Sequence, residues 1–353
     1  MRCFKWAMLA LCFMCLTACA KQEPVMQQET VQVAEEPQAE PQKEEAPEPL
    51  PEAEFTFLAY GEVFDGGCVY FGGRAFVERE KAMELSGMTG RTNVSVQIGG
   101  RDYVPLEELC EASGLTLHKD ENKHIFMLSG PQGWQIPAGI DVPILMYHGV
   151  TNDMWGMTDL FVSPENMEAQ IAWLAENGYT TIWFEDLPNV DKIEKPIILT
   201  FDDGYMDNYT ELFPILQKYD AKATIFVVTG TVDYNPRSLT SEQVKELSDS
   251  GLVSIQSHTV THPYLRSQSR EAQQWEFIQS KLDLAAITGK EPTVICYPSG
   301  SYDEITLELA KEHYCMGIDM NGLMYTTGED PYQVERFYIS RRDSLGTIIS
   351  YIQ

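Results

Sequence analysis

Positive charge is scarce in this chain. Its 353 residues carry 25 lysines and arginines against 53 aspartates and glutamates, a formal net charge of −28. Holding nucleic acid or another polyanion takes a basic footprint, so this balance argues against such partners. A neutral partner meets no such objection. Histidine is scarcer still, at six, so imidazoles that fall together carry information. The apolar run from Ala7 to Leu16, preceded by Arg2 and Lys5, is too short to span a bilayer and has the length of a signal-peptide core. Residues 19–54 hold almost no large apolar side chains and are dominated by Glu, Gln, Pro and Ala. Such a segment cannot bury enough surface to fold, and it is expected to be a disordered, self-repelling tether.

What is present is concentrated in two segments. Pro196-Ile197-Ile198-Leu199-Thr200-Phe201 is a short apolar run closed by Asp202-Asp203-Gly204, the pattern of a buried parallel strand. Its carboxylates therefore sit at the strand's C-terminal end, where α/β folds bind ligands. Two adjacent acids there repel each other unless a cation or a shared proton relieves them, although an Asp pair can also serve as a turn or a helix cap. Downstream, Gly251 to His258 reads as a second strand ending in a polar loop, and His258 and His262 bring two imidazoles to one side of a turn. The same spacing also arises on solvated helices. One carboxylate with two histidines makes a three-ligand metal set with positions left open for water and substrate.

These residues resemble the first two motifs of the polysaccharide deacetylase superfamily, and the resemblance runs from roughly Val142 to the C-terminus. It implies a distorted (β/α) barrel that hydrolyses N-acetyl or O-acetyl groups on glycans. It also implies that Asp203, His258 and His262 bind a divalent metal, with Asp202 as catalytic base. Zinc suits the donor set; cobalt, nickel or manganese would also be accommodated. Thr293 to Gly300 is similar to the third motif but departs from it, with Cys296 where many members carry arginine and Ser299 where they carry a second aromatic. A backbone donor survives any side-chain change, so the Ser299 N–H remains the candidate oxyanion contact. Arg336, within Val334 to Ile339, resembles an arginine near the end of short relatives and would supply the missing charge from another strand; an ordinary surface arginine is the alternative. No Leu-x-x-His lies near the C-terminus to supply the usual general acid. Val142 to Val150 reads instead as the first barrel strand, and it ends in His148. That resembles the permuted branch containing poly-N-acetylglucosamine deacetylases, which makes His148 the candidate acid and a core histidine the alternative.

The intervening pattern predicts alternating strands and helices. Ser163-Pro164 should cap a helix with Met167, Ile171 and Leu174 on its apolar face, and Thr240 with Gln243 forms a capping box. A long helix over Glu271 to Ile287 should end at Gly289, with Trp275, Ile278, Leu282 and Ala285 facing the core. Residues 55–130 are expected to form a small α+β domain ahead of the barrel at 140–353. Its Val94 to Leu106 segment resembles the copper amine oxidase N-terminal-like module, a stalk on bacterial surface proteins. No copper chemistry follows, and His118 and His124 read as solvated strand residues. Cys68 with Cys110, and Cys296 with Cys315, are possible disulfides in an oxidising compartment, with reduced core thiols as the alternative. Leu16-Thr17-Ala18-Cys19 resembles the bacterial lipoprotein box, implying removal of a signal peptide at 1–18, lipidation of Cys19, and an extracytoplasmic, membrane-anchored protein. The reading these features support is a metal-dependent N-deacetylase of poly-N-acetylglucosamine or peptidoglycan amino sugars. The alternatives are a catalytically weak glycan-binding lipoprotein and an O-acetyl esterase on a wall polysaccharide.

Overall fold

The computed structural model describes residues 56–59, 62–63, 67–71, 73–86, 95–113, 115–122, 125–129 and 133–353. The signal segment, Cys19, the tether and His124 lie outside the described residues. Eight parallel strands form the barrel wall: β1 Ile144–Tyr147, β2 Thr180–Thr181, β3 Pro196–Phe201, β4 Ala223–Val227, β5 Val253–Ser257, β6 Val294–Cys296, β7 Met316–Ile318 and β8 Phe337–Tyr338. They lie in the order β7-β6-β5-β4-β3-β1-β8, with β2 paired to the start of β3. A parallel bridge from Ile318 of β7 to Val334, just ahead of β8, links the two ends of that order. Every residue of β3 and β4 is buried, as expected for parallel strands covered on both faces, and this explains their unbroken apolar runs.

The helices follow their sequence signals. Helix α1, Pro164–Glu176, starts where the Ser163 side chain accepts a hydrogen bond from the Asn166 N–H, with proline in its first turn. Its Met167, Ile171 and Leu174 pack in one cluster with Leu145, Leu199 and Ile225 of the strands. After α2, Phe213–Tyr219, comes α3, Ser241–Asp249, which carries the Thr240–Gln243 capping box in full. Helix α4, Arg270–Thr288, ends on Gly289 at a φ of 74°, a left-handed cap that glycine takes without strain. Helices α5, Glu304–His313, and α6, Leu345–Ile352, complete the barrel's outer layer. No helix among the described residues is long and apolar enough to cross a membrane.

Ahead of the barrel, the described residues 56–129 build two four-stranded sheets and the helices Arg79–Ser86 and Leu106–Ser113 around Phe57, Val77, Val104, Leu109 and Phe126. Gly99 and Gly100, at φ 54° and 85°, make the tight turn that pairs Ile98 with Arg101. This module sits on α4. Leu58, Ile125 and Met127 pack against Leu282 and Ala285, with Ile278 alongside. The apolar stripe expected to face the barrel core is thus shared with the module. Trp275 continues that stripe toward the start of α4, past the module's cover, and stays 49% exposed, contrary to its expected place in the core.

Polar contacts join the same two parts. Ser129 Oγ donates to Glu291 Oε1 at 2.7 Å, Lys281 Nζ donates to the same oxygen at 2.6 Å, and Gln279 Nε2 reaches Asp120 at 3.1 Å. His118 is not solvated as expected: it is buried, edge-to-face with His313 at 5.4 Å between ring centroids. Burial, aided by the nearby Lys281 charge, pushes His118 down to about 3 and His313 down to about 4. Neither expected disulfide forms, because Cys110 and Cys296 are buried thiols.

Candidate active site

The site lies at the C-terminal ends of β1, β3, β5 and β6. Strand β3 delivers Asp202 and Asp203 with different surroundings. Asp202 is buried, and the Arg336 guanidinium grips both its oxygens, Nη1 to Oδ1 at 2.8 Å and Nη2 to Oδ2 at 2.9 Å. Burial alone would raise the Asp202 pKa, but the charge and hydrogen bonds of Arg336, helped by His258 and His148, outweigh it and hold the group well below the usual carboxylate range. Arg336 is itself 1% exposed, which removes the surface-arginine alternative. Its Nε donates to Asp319 O at 3.0 Å, Nη1 also reaches Thr200 Oγ1 at 2.9 Å, and Phe226 lies under the guanidinium at 5.6 Å.

This arrangement accounts for the departure at Cys296. The thiol sits 3.1 Å from Arg336 Nη2 and 3.7 Å from Asp202 Oδ2. A side chain this small leaves room for the guanidinium to arrive from the segment before β8. Asp202, His258 and Cys296 also cluster closely enough to suggest a metal. A cation already fills that space, however, and a divalent ion there would meet Arg336.

Asp203 faces the other way. Its Oδ1 lies 3.6 Å from His258 Nε2 and 3.5 Å from His262 Nε2. Ligand bonds of about 2.1 Å put donor atoms on one ion roughly 3 to 3.5 Å apart, so the three residues fit a single divalent cation. The tautomer supports this fit. His258 Nδ1 is 2.9 Å from the Cys296 carbonyl, which can only accept, so Nδ1 carries the proton and Nε2 presents its lone pair toward Asp203. Burial pushes the ring down to about 4, further lowered by His262 and opposed by Asp202 and Asp203, so it is neutral as a ligand must be. His262 is the open side of the set, with 36% of its side chain exposed.

The loops that present these groups, after β3, β5 and β6, are strained. Among the described residues, seven other than glycine have positive φ, and Asp203 (74°), Thr259 (66°), His262 (56°) and Ser299 (55°) are four of them. Each costs on the order of 1–3 kcal/mol, and such strain collects at functional sites. Ser299 is exposed at the turn after β6. The two amides that follow it are engaged, Gly300 N–H donating to Tyr297 O and Ser301 N–H to Pro298 O, both at 3.0 Å. His148 follows β1 directly, with a buried Nδ1 that finds no partner among the described residues and Tyr338 edge-on at 6.3 Å.

Six of the seven expected site residues thus follow the C-terminal ends of strands, and the seventh, Arg336, comes from the segment before β8 and reaches Asp202 with its guanidinium. A profile described as polysaccharide deacetylase matches residues 189–317. The chain is 35% identical to YxkH of Bacillus subtilis (strain 168) over 218 residues, which cover 60% of this chain and 76% of that protein. The chain belongs to the polysaccharide deacetylase family. BC0361, a polysaccharide deacetylase from Bacillus cereus, has a solved structure that superposes with a TM-score of 0.58 at 34% identity, over 61% of this chain and 70% of that one. A more distant relative is the poly-beta-1,6-N-acetyl-D-glucosamine N-deacetylase of Escherichia coli (strain K12), 30% identical over 139 residues, or 34% of this chain and 21% of that protein.

Within this polysaccharide deacetylase site, sequence reasoning missed the residues that hold the strand ends. Asn208 Nδ2 donates to the His148 carbonyl at 2.9 Å, and Asp207 Oδ1 accepts from the Val150 N–H at 2.7 Å, so the pair clamps the backbone on both sides of Gly149, directly after His148. Burial lifts Asp207 to about 6, against the hydrogen bond from Val150. Nothing in the spacing of Asp207-Asn208 announces a reach to the end of the neighbouring strand β1.

Proposed function

We propose that the protein is a metal-dependent N-deacetylase of a cell-surface glycan, either poly-N-acetylglucosamine or the amino sugars of peptidoglycan. One observation carries this reading: a buried, arginine-paired carboxylate, Asp202, stands next to the Asp203, His258 and His262 donor set without belonging to it. A binding module has no use for a charged base beside its metal ligands. The alternative of a catalytically weak protein rests on the altered third motif and on the absent C-terminal Leu-x-x-His; Arg336 supplies the charge the first lacks, and His148 stands in for the second.

A divalent cation held by Asp203, His258 and His262, zinc on donor chemistry, supplies Lewis-acid polarisation and a water nucleophile of lowered pKa. The chain's own residues do the rest. Asp202 accepts the proton lost by the attacking water, and Arg336 keeps it ionised and aimed. The Ser299 N–H donates to the oxygen that gains charge as the acetyl carbonyl turns tetrahedral, a contact worth about 3 kcal/mol. His148 gives a proton to the sugar nitrogen as the C–N bond breaks, so acetate and a free amine leave. In this reading Cys19 carries the lipid that holds the enzyme on the outer side of a bacterial membrane, and residues 55–130 are a separate module that spaces it from that surface.

The test is acetate release from β-1,6- and β-1,4-linked N-acetylglucosamine oligomers, from peptidoglycan and from an O-acetylated xylan. Release from an N-acetylated glycan is expected. Release from the ester alone would move the assignment to an esterase, and release from none would remove the enzyme reading.

A further inference from the structure

Thr259 and His262 hold left-handed backbone angles, an uncommon conformation that is most costly for the β-branched Thr259, so the contacts that hold this loop bear on the site. The loop's own bonds are few: Thr259 N–H to Ser257 Oγ at 3.2 Å and His262 N–H to Thr259 Oγ1 at 3.1 Å. The loop after β4 adds two more, Thr229 N–H to Thr259 O and Gly230 N–H to Val260 O at 2.9 Å, and α4 supplies the side-chain contacts. Glu276 is 5% exposed and turns its carboxylate onto the loop, accepting from the Val260 N–H at 2.7 Å, from the Thr261 N–H at 3.0 Å and from the Thr261 hydroxyl.

One turn along, Ser280 Oγ meets Ser257 Oγ at 2.7 Å. Asp283 then accepts from Thr229 Oγ1 at 2.9 Å, and the Thr229 N–H donates to the Thr259 carbonyl at 3.1 Å. Positions 276, 280 and 283 are one stripe of a helix, so α4 presents a continuous polar edge to the metal loop. The adjacent stripe, with Leu282 and Ala285, is the one that carries the module.

We infer that Glu276 is a positioning residue for the metal centre: it fixes the turn that brings His262 beside Asp203 and His258, and thereby sets metal affinity. The inference rests on the metal site proposed above. Partners that orient metal ligands typically contribute about 10- to 100-fold in affinity.

The test is zinc affinity of the full chain, measured by competition with a chromophoric chelator, with circular dichroism and the melting temperature of the metal-free protein alongside. Glu276→Ala should raise the zinc Kd by about 10- to 100-fold while the folded signal remains. Glu276→Gln keeps one carbonyl acceptor for the two N–H groups and should fall between the two. Trp275→Ala, on the same helix but half-exposed and outside that polar edge, should bind zinc as the wild type does. Should the alanine variant fail to fold, the glutamine variant decides. Weakened zinc binding in a folded Glu276→Gln supports the role, and wild-type affinity in either folded variant overturns it. A wild-type chain that binds no zinc would overturn the metal site itself, and this inference with it, which separates the two failures.

Discussion

Asp202 and Asp203 are neighbours in sequence and opposites in surroundings, and the proposed chemistry depends on the difference. Asp202→Asn keeps the shape but removes the proton acceptor, so acetate release should drop by about 10²- to 10⁴-fold with little change in the melting temperature. Arg336→Leu is expected to act on the fold as well. It leaves the Asp202 charge buried without its partner, and urea denaturation should show a loss of about 3–5 kcal/mol. An unchanged unfolding free energy in that variant would contradict the pairing. The four residues of the first two motifs were legible because metal chemistry demands particular side chains at strand ends, and strand ends can be read from apolar runs. Arg336 was legible only as one of two options, because sequence cannot say whether a side chain crosses the barrel. Glu276, Asp207 and Asn208 were not legible, since they act on backbone groups far away in the chain.

Local signals fixed the elements well and their partners less well. The caps at Ser163 and Thr240 and the stop at Gly289 were readable because each depends on residues within a turn of one another. Thr240→Ala removes a cap hydrogen bond and should cost about 1 kcal/mol in a denaturation experiment. By contrast, the apolar stripe of α4 was assigned to the barrel when the module takes part of it, and His118 was placed in solvent when it is packed on His313. Periodicity tells that a face is buried, not against what. The His118–His313 contact has a pH signature. Both rings titrate in the folded protein well below their ordinary 6.5, at about 3 and about 4. The unfolded chain therefore binds more protons between those values and 6.5, so the contribution is full above about 6.5 and lost as pH falls toward 4. Stability measured from pH 7 to 5 should decline, and replacing both histidines by phenylalanine should flatten the decline over that range. An identical slope in the double variant would show that other groups are responsible.

For the whole molecule, the proposal places an acidic chain close to a membrane, tethered there through a lipidated Cys19. Cys19→Ala should shift the protein from the membrane fraction to the soluble fraction without altering acetate release in detergent. Equal partitioning of the two forms would remove the anchor. The barrel architecture was legible from its alternating pattern, while the seating of the module on α4 was not, because it depends on contacts between distant segments with no motif of their own. The central claim is that Asp203, His258 and His262 hold one metal ion that acts with Asp202. The most direct test strips the protein with a chelator and follows acetate release from an N-acetylglucosamine oligomer as zinc is returned. The account predicts no activity in the stripped protein, recovery complete at one zinc per chain, and no recovery in Asp203→Ala. Release at the wild-type rate from the stripped protein would contradict it.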